Sequence, residues 1–364
     1  MIRREKMGFG VYVHVPFCQR KCPYCDFYSA CGSKADIDAY TARIVEDINK
    51  YCPHGADSMY FGGGTPSLLS ADNVRDMISA ASPLKNAEIT MECNPNSVNE
   101  HSLTGYGNAG VNRISFGVQS LNDRELRTLG RLHSADEAIK AVNAAKTVGF
   151  DNISADLMLA VPYQTRETLS ETLETLTSLP IAHVSAYMLK IEEGTPFDKS
   201  GMRDIAPDDD ASAEMYIQTA AFLESRGFAQ YEISNFSKKG MESRHNLHYW
   251  RCDEYYGFGP SAHSFVNGKR YALPRDIKSF MSHKTDSLYE ITESGPPDSF
   301  EKGMLQLRLS EGIMLDGIPE DKRDAFLKKY AVYEKNGLMR RNGDAYAMTA
   351  KGFLVSNSII VSLL

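Results

Sequence analysis

VYVHVPFCQRKCPYCDFY, residues 11–28, is the stretch on which the reading of this chain turns. Its first five residues alternate as a half-buried strand does. Directly behind them come Cys18, Cys22 and Cys25, three of the seven cysteines of the chain. A strand that delivers a ligand-bearing loop is the first half of a βα unit, and the residues downstream repeat that unit. A helix is predicted over 36–51, where Ile37, Tyr40, Ile44, Val45 and Ile48 recur at helical spacing. Further strands are predicted at 58–61, 88–92, 113–118, 152–159 and 183–189. Each is followed by a helical stretch: one capped by Ser70, one starting near Asn99, one over 134–148, one striped by Leu169, Leu173 and Leu176, and one over 210–226. The stretch 134–148 opens with the capping box Ser134/Glu137 and stops at Gly149. Six such alternations predict an α/β fold with a parallel sheet, open or curled into a partial (β/α)6 barrel. Ligands bind such sheets at the carboxyl ends of the strands. The cysteine loop, the glycines 62–64, Glu92 and Gln119 all fall there.

The alternation assigns residues 8–230 to the barrel. Residues 231–274, rich in aromatic, His and Gly residues, break the pattern and read as a connecting segment with a function of its own. Residues 275–364 read as a smaller, mostly helical domain. Within it 316–336 is amphipathic, 338–349 turns at Asn342-Gly343, and Thr349 caps a last helix, a winged-helix-like succession.

Composition narrows the class. A chain of 364 residues with 42% hydrophobic and 24% charged residues can bury a large core and is long enough for a second domain. No run reaches the roughly 18–20 apolar residues of a membrane span. The basic opening at 1–6 leads into a segment too short and too polar for a signal peptide. A net charge of −7 sets nucleic acid at a disadvantage as a partner. Residues 318–364 carry eight Lys or Arg against five Asp or Glu, which reads first as a solvated helix face and second as a peripheral membrane contact. An odd number of cysteines without a secretory signal points to a reducing, cytoplasmic setting.

Three thiols on one short loop suit a metal or a cluster. Structural zinc takes four ligands, usually as two separated pairs, and no second Cys-x-x-Cys follows; Cys31 or a histidine would have to complete the set. A [4Fe–4S] cluster can be held by three thiolates with one iron left open. Pro16, Phe17, Pro23, Tyr24 and Phe27 would shield its sulfurs from water.

The run from His14 to Phe27, with Cys18, Cys22 and Cys25 at 3-and-2 spacing, resembles the cluster loop of the radical S-adenosylmethionine (SAM) superfamily. Residues 60–66, 92–95, 113–120, 130–131, 156–162 and 245–250 extend the resemblance to the oxygen-independent coproporphyrinogen III oxidases and their relatives. The resemblance implies a [4Fe–4S] cluster on the three cysteines and a SAM site built from Tyr12, Tyr24, Gly63, Gly64, Thr65, Glu92, Gln119, Arg131 and Asp156. It also implies an electron donor. True oxidases carry a fourth cysteine two residues after the third, where this chain has Phe27. That departure, together with residues 245–250 (HNLHYW), resembles the haem-chaperone branch instead. This branch is expected to bind haem and pass it to haem-accepting proteins. The oxidative decarboxylase, with a porphyrin substrate, and a radical SAM methyltransferase remain the alternatives. His245 is the first expected haem ligand and His248 the second, with Tyr249, Trp250, Tyr255, Tyr256 and Phe258 as packing for the macrocycle. Relatives commonly have Tyr-Gly where this chain has Leu159-Ala160.

Overall fold

The computed structural model describes residues 8–364; the basic opening at 1–6 lies outside the described residues. Its centre is six strands: β1 (Gly10–Val15), β2 (Ser58–Gly63), β3 (Glu88–Cys93), β4 (Arg113–Gln119), β5 (Asn152–Leu159) and β6 (His183–Met188). They lie side by side in chain order, each parallel to the next. The crossovers are α1 (Lys34–Tyr51), α2 (Ala71–Ala81), α3 (Glu100–Ala109), α4 (Asp123–Thr128) with α5 (Ala135–Thr147), and α6 (Arg166–Ser178). After β6 the chain runs through the short α7 (Pro196–Lys199) into α8 (Asp209–Ser225). The capping signals act as read: Ser70 caps α2, and Ser134 with Glu137 closes a reciprocal box on α5.

The strands alternate between two environments, as the two-residue period of a strand requires. Val11, Val13, Val15, Met59, Phe61, Met91, Ile114, Phe116 and Leu157 are buried in one apolar core with the helices. The other face carries Tyr12, Tyr60, Glu92, Arg113, Asp156 and Tyr187, from six successive strands. Glu92 of β3 feels the charges of Asp156 on β5 and Arg113 on β4, and both carboxylates act on Tyr187 of β6. These side chains therefore share one polar lumen, which a curled sheet provides. β1 and β6 do not pair, so the barrel is partial.

Residues 231–274 are more than a connector, and the strands there begin two residues earlier, within the range read as barrel. β7 (Ala229–Gln230) and β8 (Asn235–Ser237) extend the sheet beyond β6. After α9 (Arg244–Arg251), β9 (Tyr255–Phe258) pairs in parallel with β1, and β10 (His263–Val266) and β11 (Lys269–Ala272) follow outward. Beyond α10 (Ile277–Ser282), β12 (Glu290–Ser294) adds the last strand of the same sheet, inside the stretch that sequence reading gives to the C-terminal unit.

That unit comprises α11 (Ser299–Gln306), β13 (Ile313–Met314), α12 (Arg323–Lys335), β14 (Met339–Asn342), β15 (Ala345–Met348), α13 (Ala350–Leu354) and α14 (Ser356–Leu363). The strand order β13-β15-β14, with a hairpin between the last two, is that of a winged helix. Two expectations shift. The amphipathic helix starts at Arg323 because Pro319 holds Ile318 in extended backbone. The last helix is two helices, broken where Val355 leaves helical geometry.

Candidate functional site

The base of the cysteine loop is clamped by backbone. Cys18 N–H donates to Ala30 O and Ala30 N–H to Pro16 O, while His14 Nε2 bonds Tyr28 O at 2.9 Å. Cys18, Cys22 and Cys25 stand half-buried along the loop between. The end of β2 presses against it: Gly64 N–H donates to Val15 O at 2.8 Å, and Thr65 N–H to Phe17 O at 2.7 Å. A Cβ on Gly64 would stand 2.6 Å from Phe17 O, and Gly63 has φ +106 with its open side 2.7 Å from the His14 ring. These glycines are required by close approach, not only by a turn.

A hydrogen-bonded bridge spans the loop. Thr65 Oγ1 donates to Cys18 Sγ at 3.4 Å, and Asn94 Nδ2 donates to Thr65 Oγ1 at 3.1 Å. Arg131 donates to Asn94 Oδ1 at 2.5 Å and to Gly117 O at 2.9 Å, and its other terminal nitrogen stands 3.8 Å from Cys22 Sγ. Asn94 is the site residue that sequence reading missed, although its place at the carboxyl end of β3 beside Glu92 was a usable signal. Tyr24 lies against Phe197 and within reach of Arg131. Gln119 ends β4 at φ +66, a strained backbone for a residue other than glycine.

The carboxylates sit one layer deeper. Tyr60 Oη donates to Glu92 Oε1 at 2.8 Å, and Ser115 Oγ to Asp156 Oδ1 at 3.2 Å. Burial first, and then the charge of Asp156, lift the Glu92 carboxyl to about 7; burial also raises Asp156. Two desolvated acids facing one lumen repel each other, and a cation bound between them would restore both charges. Tyr12 points into the same lumen from β1, its hydroxyl 3.1 Å from His14 Nδ1.

These residues fit a cluster and a sulfonium amino acid. The loop offers three thiols, and among the described residues no three His, Cys, Asp or Glu side chains converge as a single-ion site. One thiolate per iron corner, with one corner open, matches that donor set. Arg131 Nε is buried without a hydrogen-bond partner, a donor left for a carboxylate.

The expected haem ligands lie elsewhere, at the opposite end of the barrel. His245, 1% exposed, bonds Ser58 Oγ through Nδ1 at 2.9 Å and Tyr249 Oη through Nε2 at 2.8 Å. Both ring nitrogens are thereby engaged, so in this conformation His245 offers iron no lone pair. His248 is fully buried and ion-paired with Asp57 at 2.8 Å and Asp253 at 3.5 Å. The reason is topological: α9 seals the base of the lumen against β2, so the histidines face inward. Trp250 lies beside Arg308, Tyr256 on Phe9, and Phe258 is core.

The sequence pattern of the Radical SAM superfamily matches residues 12–176. The heme chaperone HemW of Lactococcus lactis is 31% identical over 98% of this chain and 97% of its own length. The heme chaperone HemW of Escherichia coli is 35% identical over 96% and 97%. Among solved structures, the coproporphyrinogen III oxidase HemN of Escherichia coli superposes with a TM-score of 0.79, covering 98% of this chain and 90% of that one at 20% identity, a likeness of fold. With near full-length relatives above 30% identity, and with three cysteines and a glycine turn at the mouth of a partial barrel above paired carboxylates, the chain belongs to the HemW family of the radical SAM superfamily.

Proposed function

We propose that this protein is a haem chaperone that carries a [4Fe–4S] cluster on Cys18, Cys22 and Cys25, binds SAM at the barrel mouth, and hands haem to acceptor proteins. The observation that carries the reading is the bridge Cys18–Thr65–Asn94–Arg131–Cys22 above two buried carboxylates, in a chain alike over its full length to heme chaperones. When bound, the cluster and SAM supply one-electron cleavage of the S–C5′ bond. The chain's own residues hold and orient: Thr65 and Arg131 set the thiols, Glu92 and Asp156 receive cationic or diol groups, and the glycines let backbone approach.

The decarboxylase reading is weaker, because the position of its fourth cysteine is Phe27, 68% exposed. The deciding experiment is haem titration beside a coproporphyrinogen decarboxylation assay on cluster-loaded protein. Stoichiometric haem binding without decarboxylated product is expected; product formation with an intact, reducible cluster would overturn the chaperone reading. Replacing Cys18, Cys22 or Cys25 by Ala is expected to abolish the cluster absorbance. In His245→Ala, haem affinity is expected to survive while stability falls, since the ring is committed to Ser58 and Tyr249.

A further inference from the structure

Tyrosines in this molecule differ in what their hydroxyls bond. Tyr40, Tyr106 and Tyr216 donate to backbone carbonyls, which cannot take a proton. Four tyrosines in and beneath the lumen bond titratable side chains instead: Tyr60 to Glu92 at 2.8 Å, Tyr12 to His14 at 3.1 Å, Tyr249 to His245 at 2.8 Å and Tyr231 to His183 at 2.8 Å. Tyr187 of the same lumen bonds Ser185, and Tyr330, far from it, bonds Glu334. Each of the four phenols in and beneath the lumen thus has a proton-exchanging group within hydrogen-bond distance. Burial lowers the pKa of all three histidines, which favours the neutral ring. At His14, Nε2–H donates to Tyr28 O, which leaves Nδ1 to accept from Tyr12.

The same rings are in series. Tyr255 meets Tyr249 at 4.7 Å between centroids, Tyr249 meets His245 at 5.2 Å, His245 stacks on Tyr60 at 5.2 Å, and Tyr60 stacks on Tyr12 at 6.2 Å. The upper end lies directly under the glycine turn: a Cβ on Gly62 would be 3.0 Å from both the Tyr12 and Tyr60 rings and 3.2 Å from Glu92 Oε1. The lower end is the α9–β9 face, where Tyr249 and Tyr255 are only partly buried. A buried phenol that is oxidised must shed its proton at once, so a redox role needs proton-exchanging partners such as those of Tyr12, Tyr60 and Tyr249.

We propose that these phenol–base pairs form a relay that quenches a carbon-centred radical arising in the lumen without a substrate and carries the oxidising equivalent out to the α9–β9 face. This rests on the cluster and SAM reading for the source of the radical. In the first step the radical carbon takes the hydrogen of the Tyr60 hydroxyl: a C–H bond forms, the O–H bond breaks, the carbon is reduced and Tyr60 becomes a neutral phenoxyl. Next, Tyr249 gives Tyr60 an electron and passes its own proton to His245, while Tyr60 recovers a proton from protonated Glu92. A thiol or ascorbate at the surface then reduces Tyr249, which takes its proton back from His245, and solvent reprotonates Glu92. HNLHYW is on this account the lower end of an electron path.

The test uses cluster-loaded full-length protein with SAM and dithionite, anaerobic, in D2O, without haem or porphyrin. A phenolic hydroxyl exchanges with solvent, so 5′-deoxyadenosine is expected to carry one deuterium, and freeze-quenched samples to show a phenoxyl paramagnetic signal. In Tyr60→Phe the labelled fraction, measured per product formed, is expected to fall several-fold. Unlabelled product from the parent protein would overturn the relay. No 5′-deoxyadenosine at all would count against the cluster and SAM reading, and a cluster-free arm then decides the relay. There, azide radicals oxidise Trp250, the single tryptophan. Conversion of its indolyl radical to phenoxyl is expected to slow several-fold in Tyr249→Phe; an unchanged rate would overturn the proposal.

Discussion

Ala160 shows how much one position discloses. It follows the last residue of β5 at φ +59, a left-handed backbone in a buried setting that favours glycine. A side chain there costs about 1–2 kcal/mol, while glycine's greater freedom in the unfolded chain gives back roughly 0.5–1 kcal/mol. Ala160→Gly is therefore expected to stabilise the protein by up to about 1 kcal/mol, read as a higher urea midpoint at unchanged slope. A lower midpoint would mean that the surrounding packing absorbs the strain. Asn94 makes the complementary point: it has no unusual backbone, and its role is visible only in the bonds it makes to Thr65 and Arg131.

At the scale of the element, α9 is held at both ends by charge. Glu88 accepts from the backbone N–H groups of Arg244 and His245 at its first turn, where a carboxylate offsets the positive end of a helix. Near its last turn His248 sits between Asp253 and Asp57. Burial alone would lower its pKa, but these two carboxylates raise it to about 9. The folded state thus holds this proton more tightly than the unfolded chain, whose histidine titrates near 6.5. The contribution is fully present below pH 6.5 and is lost as pH rises through 9, amounting to about 3 kcal/mol. Urea midpoints are expected to drop between pH 7 and pH 9.5, with a shallower drop in His248→Asn; parallel profiles would remove His248 as the cause.

For the whole molecule, the winged-helix-like unit is not a detachable appendage. Leu307, Ile313, Phe326 and Ile359 belong to the same apolar core as the barrel strands, α11 packs on α9, and Glu232 bridges to Leu309. A chain ending at residue 298 is expected to expose that surface and to melt well below the full chain without a single cooperative transition, as calorimetry would record. Retention of the full-length melting temperature would show two independent domains. No described helix is long and apolar enough to cross a membrane.

The alternation of strand and helix and the cysteine loop were legible because each is local: Val11, Val13 and Val15 alternate, Ser134 and Glu137 sit one helical turn apart, and three cysteines share one loop; the other residues at the mouth were expected from the resemblance to the family, not from periodicity. Element ends were less so, since Pro319 and Val355 break helices whose apolar pattern continues past them. The direction of His245 and His248 was not legible at all. A histidine among aromatic residues reads the same whether it lines a ligand pocket or plugs a barrel, and only the pairing of β9 with β1, contacts between residues far apart in the chain, turns α9 inward. Sequence determined which residues alternate and where chemistry-bearing side chains cluster along the chain; tertiary structure alone decided which of them meet, because burial and hydrogen-bond partners are set by segments that sequence distance does not relate.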